Sequence, residues 1–145
     1  MKILVASDIA EEGISKLKKE FEVDVKKGIS KEEIMSIIEN YDGVIIRSKP
    51  NITEDIIKKG KNLKVVARAG VGLDNVDVTC CQGCGIKVVN SPQASSESVA
   101  ELAFGLMLAV SRNIARADRL TREKRWEKKS LMGYELNGKT LGIVG

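Results

Sequence analysis

Residues 64–75 read KVVARAGVGLDN, a β-branched run that ends in an arginine and then in two glycines one residue apart. The Lys64–Ala67 part lacks the in-out alternation of a half-exposed strand, so it reads as a strand covered on both faces. Gly70 and Gly72 allow backbone conformations closed to other residues and let amides approach an anion closely. A buried strand feeding such a bend is how open α/β sheets build ligand sites at their carboxyl edge. Taken alone, G-x-G also marks ordinary turns, so its meaning depends on what surrounds it.

Working outward, strand and helix alternate through the first ninety residues. Lys2–Ala6 (KILVA) is a compact apolar strand, followed by Ile9, Ile14, Leu17 and Phe21 at near-helical spacing among charges. Glu22–Val25 is a second strand. Ser30 with Glu33 three residues later has the spacing that satisfies free amides at a helix start, and Ile34, Ile37, Ile38 and Tyr41 form that helix's apolar face. Val44–Ile46 is the third strand, Thr53–Lys59 a helix, Val76–Gln82 a short helix and Ile86–Val89 the fifth strand. Strands separated by helices pair in parallel through right-handed crossovers. The expected fold is α/β, a flavodoxin-like doubly wound parallel sheet over residues 1–93.

After Asn90-Ser91-Pro92 the character changes. Ser98–Ala117 reads as one helix, apolar almost all round until Ser111, so it requires cover beyond what the first ninety residues supply. A charged helical stretch follows through Lys129, then a turn at Leu136–Lys139 and a strand at Thr140–Val144. Residues 94–145 are therefore expected to start a second domain, a Rossmann domain entered by a crossover helix.

Composition narrows the classes of function. Of 145 residues, 43% are hydrophobic and 30% charged, a globular balance. No apolar run reaches the roughly 18 residues of a membrane span, and Ile3–Ala6 is too short for a signal peptide. A cytoplasmic protein without a membrane partner is expected. The net charge of +4 arises from 24 basic and 20 acidic residues, mostly interleaved. Eight basic residues cluster between Arg112 and Lys129, which suits either a solvated helix face or an acidic ligand. Only 3% of residues are aromatic, too few stacking platforms to favour nucleic acid. With no histidine present, a complete enzyme relying on an imidazole base cannot be assembled from these residues. The three cysteines, Cys80, Cys81 and Cys84, are too few ligands for a zinc site, so no metal is expected and small packed side chains are the preferred reading.

Three stretches end strands and could carry chemistry. Arg47-Ser48-Lys49-Pro50 offers a planar fork of donors, a hydroxyl and an ammonium suited to carboxylate or phosphate. Arg68–Asn75 is the anion cradle already described. Gly142-Ile143-Val144-Gly145 is a strand-terminal glycine of the kind that opens a dinucleotide turn.

Together, RSKPNIT, RAGVGLDNVD, NSP, a buried helix containing VAEL, and RWEKKSLMGYELNGKTLGIVG resemble the NAD-dependent D-2-hydroxyacid dehydrogenases in order and over essentially the whole chain. The resemblance implies an oxidoreductase with NAD as cofactor. It also implies a small anionic substrate resembling 3-phosphoglycerate, and a homodimer or higher homo-oligomer built on helices between Ser98 and Lys129. It places Arg47, Ser48, Arg68, Gly70, Val71, Gly72 and Lys128 at the substrate, with the amides of Val71 and Gly72 receiving its carboxylate. Val71, Ser95 and Gly145 would border the cofactor. Ser95 stands where the family commonly has asparagine, and Lys128 where some members have arginine. Cys80 and Cys81 stand where small residues are usual. The family's catalytic arginine, glutamate and histidine lie beyond residue 145, so these residues alone are expected to turn nothing over. Members acting on glyoxylate, hydroxypyruvate or lactate are the alternative. A receiver-like signalling module is disfavoured because the third strand ends in Arg47 where a carboxylate would be needed. A self-standing dimerisation module would rest on the apolar helix Ser98–Val110, which if exposed would promote association.

Overall fold

The computed structural model describes residues 1–144, and the chain divides into two units, Met1–Ser95 and Ser96–Gly145. In the first unit the strands are β1 (Lys2–Val5), β2 (Glu22–Val25), β3 (Gly43–Ile46), β4 (Val65–Arg68) and β5 (Lys87–Asn90). They form one parallel sheet of order β2-β1-β3-β4-β5, the flavodoxin-like arrangement expected. The helices are α1 (Glu11–Leu17), α2 (Lys31–Ile37), α3 (Glu54–Lys59) and α4 (Val78–Gly83).

The register explains the core. Leu4 pairs with Val44, Val44 with Val66 and Val66 with Val88, so one row of side chains crosses the sheet on a single face. That row packs with Ile34 and Ile38 from the α2 region, Ile56 and Ile57 from α3 and Cys81 from α4 in one continuous cluster. On the other face Ile3, Val5 and Ile14 of α1 are buried, whereas Ile45, Val65 and Ala67 are only half-buried. Within this unit the second face is therefore covered less completely than the unbroken apolar strands suggest. The helix start at Ser30 has its expected form: the Glu33 amide donates to Ser30 Oγ at 3.2 Å and the Ser30 amide to Glu33 Oε2 at 2.9 Å.

The second unit contains α5 (Ser96–Ser111), α6 (Ile114–Arg122) and a 3-10 turn at Lys128–Leu131. Three expectations are corrected here. The single helix expected over Ser98–Ala117 breaks at Arg112–Asn113, where Asn113 takes a left-handed φ of 53°. Asparagine tolerates that conformation, and its Nδ2 donates to the Met132 carbonyl at 3.2 Å, which fixes the corner. The charged stretch likewise stops being helical at Arg122 rather than running to Lys129. The strand expected at Thr140–Val144 is absent, since its sequence is strand-like but no described residue pairs with it. A strand exists only by exchanging hydrogen bonds with a neighbour. None of the α5 residues is buried, with Leu102 at 63%, Phe104 at 58% and Val110 at 79% exposure, consistent with a helix that needs cover. No single described helix is long and apolar enough to cross a membrane; α5 and α6 pass together on length and composition but bend by 62°.

At the amino edge of the sheet, Tyr41 is buried and its hydroxyl donates to Asp24 Oδ2 at 2.7 Å, while Lys2 pairs with Asp24 at 3.2 Å. The Tyr41 hydroxyl, then Lys2, holds the Asp24 carboxyl below the usual carboxylate range. The folded form thus binds this proton less tightly than the unfolded chain. The stability it contributes is present above the unfolded value of about 4 and is lost as pH falls through the lower folded value. Replacing Tyr41 with Phe removes the larger cause: the variant is expected to be less stable at pH 7 in urea unfolding. Its stability should also fall less steeply than wild type on acidification below about pH 4. An unchanged acid dependence would contradict this account.

Candidate functional site

Parallel strands point their carboxyl ends one way, so Ser7-Asp8 after β1, Arg47–Pro50 after β3, Ala69–Val76 after β4 and Ser91–Ser95 after β5 gather along a single edge. Two buried polar side chains hold these loops together. Ser7 Oγ accepts from the Arg47 amide at 2.8 Å and donates to the Lys49 carbonyl. Asn75, only 7% exposed, donates through Nδ2 to the carbonyls of Arg47 at 2.9 Å and Pro50 at 3.2 Å. The Lys49–Pro50 peptide in this loop is cis. A third bond set ties the bend to β5, with Asn90 Nδ2 donating to the Val71 carbonyl at 2.6 Å and the Ser91 amide to the Gly70 carbonyl at 3.0 Å.

The consequence is that the carbonyls of Gly70 and Val71 are engaged by partners from β5 and the loop after it. Among the described residues, the amides of Val71 and Gly72 donate to no backbone or side-chain acceptor. Arg68 folds its guanidinium over the bend, close enough that a Cβ on Gly70 would lie 2.5 Å from Nη1. Its Nε reaches the Arg47 carbonyl at 3.4 Å, which puts the two arginine-bearing loops side by side. Neither Arg47 nor Arg68 is in an ion pair among the described residues. Two guanidinium groups outside any ion pair and two amides without acceptors therefore share one edge, an arrangement suited to a carboxylate or phosphate. Arg47 also senses the Asp8 carboxylate and reaches the Asp8 carbonyl at 3.4 Å. Asp74 limits the site on one side, its carboxylate lying 2.7 Å from where a Gly72 Cβ would stand.

A cleft of about 410 Å³ opens here, lined by Arg47, Ser48, Arg68, Gly70, Ser91 and Ser95. A neighbouring cleft of about 490 Å³ lies where the strand order reverses between β1 and β3, lined by Ser7, Asp8, Ile29, Arg47 and Lys49. In the second, Asp8 pairs with Lys27 at 2.7 Å, and that ammonium holds the Asp8 carboxyl below its usual range.

The structure brings Arg47, Ser48, Arg68, Gly70 and Ser95 to one cleft, with Val71 and Gly72 in the bend beside Gly70. Lys128 lies in the second unit, exposed at the start of the 3-10 turn. Gly145 falls outside the described residues. Sequence reasoning missed Ser7, Asn75 and Asn90, the residues that position the loops. The available signal was chemical: serine and asparagine beside turns commonly bond to nearby backbone. Among the described residues no three His, Cys, Asp or Glu side chains converge as a metal site.

Residues 3–137 match the family described as D-isomer specific 2-hydroxyacid dehydrogenase, catalytic domain. A D-3-phosphoglycerate dehydrogenase of Archaeoglobus fulgidus is 45% identical over 146 residues, covering 100% of this chain and 28% of that protein. A hydroxypyruvate reductase of Thermotoga maritima is 55% identical over 128 residues, covering 88% of this chain and 42% of that protein. Among solved structures, a cofactor (NAD+) bound 3-phosphoglycerate dehydrogenase of Entamoeba histolytica superposes with a TM-score of 0.67 at 37% identity, covering 77% of this chain and 39% of that one. The chain thus spans well under half the length of these relatives. With a family match across nearly its full length, and a sheet whose loops form the anion-attracting edge described above, the chain belongs to the D-isomer specific 2-hydroxyacid dehydrogenase family.

Proposed function

We propose that these residues form the N-terminal portion of a D-3-phosphoglycerate dehydrogenase, which oxidises 3-phospho-D-glycerate at C2 with NAD in L-serine biosynthesis. The observation that carries this reading is the pair of unused amides at Val71 and Gly72 beside the unpaired guanidinium groups of Arg47 and Arg68. In this reading the amides receive the substrate carboxylate, Arg68 neutralises it, and Arg47 with Ser48 faces the phosphate. Lys128 reaches a partner's substrate phosphate as a point charge.

Of the NAD site, the described residues suit only the nicotinamide end. Val71 is 47% exposed and apolar on the rim of the bend, and Ser95 lines the same cleft. Gly145 belongs to the pyrophosphate side in this reading. NAD, when bound, accepts the hydride released from C2. The C2 hydroxyl proton has no imidazole to receive it here, because the chain contains no histidine. Residues 1–145 alone therefore bind the anion weakly and turn nothing over. Residues 1–93 act as the substrate-binding lid, and 94–145 begin the NAD-binding domain of a cytoplasmic enzyme.

The 55% identity to a hydroxypyruvate reductase favours a second reading, in which the substrate carries no phosphate. An extended protein that includes the downstream catalytic residues separates the two. The first reading expects NADH formation from 3-phosphoglycerate to outpace turnover of hydroxypyruvate, glyoxylate and lactate. In that protein Arg47→Ala should lower kcat/KM for phosphoglycerate by about 10- to 150-fold, the loss of a charge-assisted contact. Turnover of unphosphorylated glycerate should change much less. Equal losses on both acids would overturn the assignment of Arg47 to the phosphate.

We also propose that α5 and α6 form a homodimer surface, because Leu102, Phe104, Leu106, Leu108 and Val110 are exposed on α5. Light scattering of the purified chain is expected at twice the chain mass; a clean monomer at micromolar concentration would contradict it.

A further inference from the structure

A substrate with a carboxylate at one end and a phosphate at the other offers two anions that guanidinium groups attract alike. Arg47 and Arg68 by themselves would accept it in either direction. The phosphate carries a charge of about −1.5 to −2 at pH 7, against a single charge on the carboxylate. A negative side chain beside one arginine and not the other would therefore tell the two ends apart.

Asp74 stands in that place. A Cβ on Gly72 would lie 2.7 Å from Asp74 Oδ1 and 3.8 Å from Arg68 Nη1. The Asp74 carboxylate thus lies over Gly72, within roughly 5 Å of its amide nitrogen by standard bond lengths, and has the Arg68 guanidinium for a neighbour. Among the described residues it nevertheless forms no ion pair, with Arg68 or any other cation, and accepts no hydrogen bond. Its negative charge is left to act on whatever approaches the amides of Val71 and Gly72.

The Arg47 side differs. Asp8, the carboxylate that Arg47 senses, is paired with Lys27 at 2.7 Å, which offsets its charge. The bend beside Arg68 therefore carries a free carboxylate, and the loop of Arg47 and Ser48 faces a neutralised one.

We propose that Asp74 orients the substrate, repelling the more highly charged phosphate from the Val71 and Gly72 amides more strongly than the singly charged carboxylate. The carboxylate is then left to the bend and the phosphate to Arg47 and Ser48. Asp74 acts through charge alone, as a specificity-determining residue that holds no part of the substrate. This role rests on the reading in which the Val71 and Gly72 amides receive a substrate anion. Asp74 is exposed to solvent, and one extra unit of charge roughly 5 Å away in a nearly aqueous dielectric changes an affinity by about 3- to 10-fold.

The test follows the Val71 and Gly72 amides by nuclear magnetic resonance in the 15N-labelled chain, titrated with acetate as the monoanion and sulfate as the dianion at matched ionic strength. Asp74→Asn keeps the shape and removes the charge, and is expected to move the ratio of the two dissociation constants about 3- to 10-fold toward sulfate. Asp74→Glu, which restores the charge, should keep the wild-type ratio. Asp74→Ser serves the same comparison if the Asn variant folds poorly. A wild-type ratio in the neutral variant, or the same altered ratio in the Glu and neutral variants, would overturn the role of Asp74 while leaving the anion-receiving bend intact. No saturable shift at either amide with either anion in the wild-type chain would overturn the bend and the role of Asp74 together.

Discussion

The structure depends on one geometric constraint: parallel strands joined by right-handed crossovers must all end on the same edge. Leu4, Val44, Val66 and Val88 pair in one row across β1, β3, β4 and β5, and burying that row under α2, α3 and α4 fixes the strand order. Once the order is fixed, Ser7, Arg47, Arg68 and Ser91 have no choice but to gather. The apolar core thereby assembles a polar site without touching it.

What converts a gathering of loops into a defined site is a small set of buried hydrogen bonds. Ser7 bridges the Arg47 amide and the Lys49 carbonyl, and Asn75 clamps the carbonyls of Arg47 and Pro50. The Asn75 amide is oriented by its two donated bonds, while its Oδ1 has no partner among the described residues. Leaving a buried oxygen unpaired costs free energy, so the loops are held by a contact that is only half satisfied. The carbonyls of Gly70 and Val71 are occupied by Ser91 and Asn90, while the amides of Val71 and Gly72 have no acceptor among the described residues. The same pattern leaves the guanidinium groups of Arg47 and Arg68 outside any ion pair among the described residues, a local charge excess suited to an anion.

Most of this architecture was legible in the sequence because the signals were local. KILVA, KVVA and the Ser30–Glu33 box each specify an element by composition and spacing over a few residues. The Arg47 and Arg68 loops were recognisable because glycine spacing and guanidinium chemistry are properties of residue type. The failures have non-local causes. TLGIV at 140–144 has strand composition, yet a strand is a property of two segments, and no described segment pairs with it. The Ser98–Ala117 periodicity runs through Asn113, where a left-handed turn anchored on the Met132 carbonyl, nineteen residues away, ends the helix. Ser7 and Asn75 escaped notice because their importance lies in partners about 25 to 42 residues distant in the chain. Burial of the second sheet face was overestimated since apolar composition states what a strand tolerates, not how much cover one unit provides.

The central claim is that the amides of Val71 and Gly72 receive a carboxylate beside Arg68. Nuclear magnetic resonance reads those two amides directly, in the 15N-labelled chain titrated with 3-phosphoglycerate. The account predicts saturable shifts that are largest at Val71 and Gly72 and abolished by Arg68→Gln. Shifts confined to the basic surface of α6, or the same response in the Arg68 variant, would contradict it.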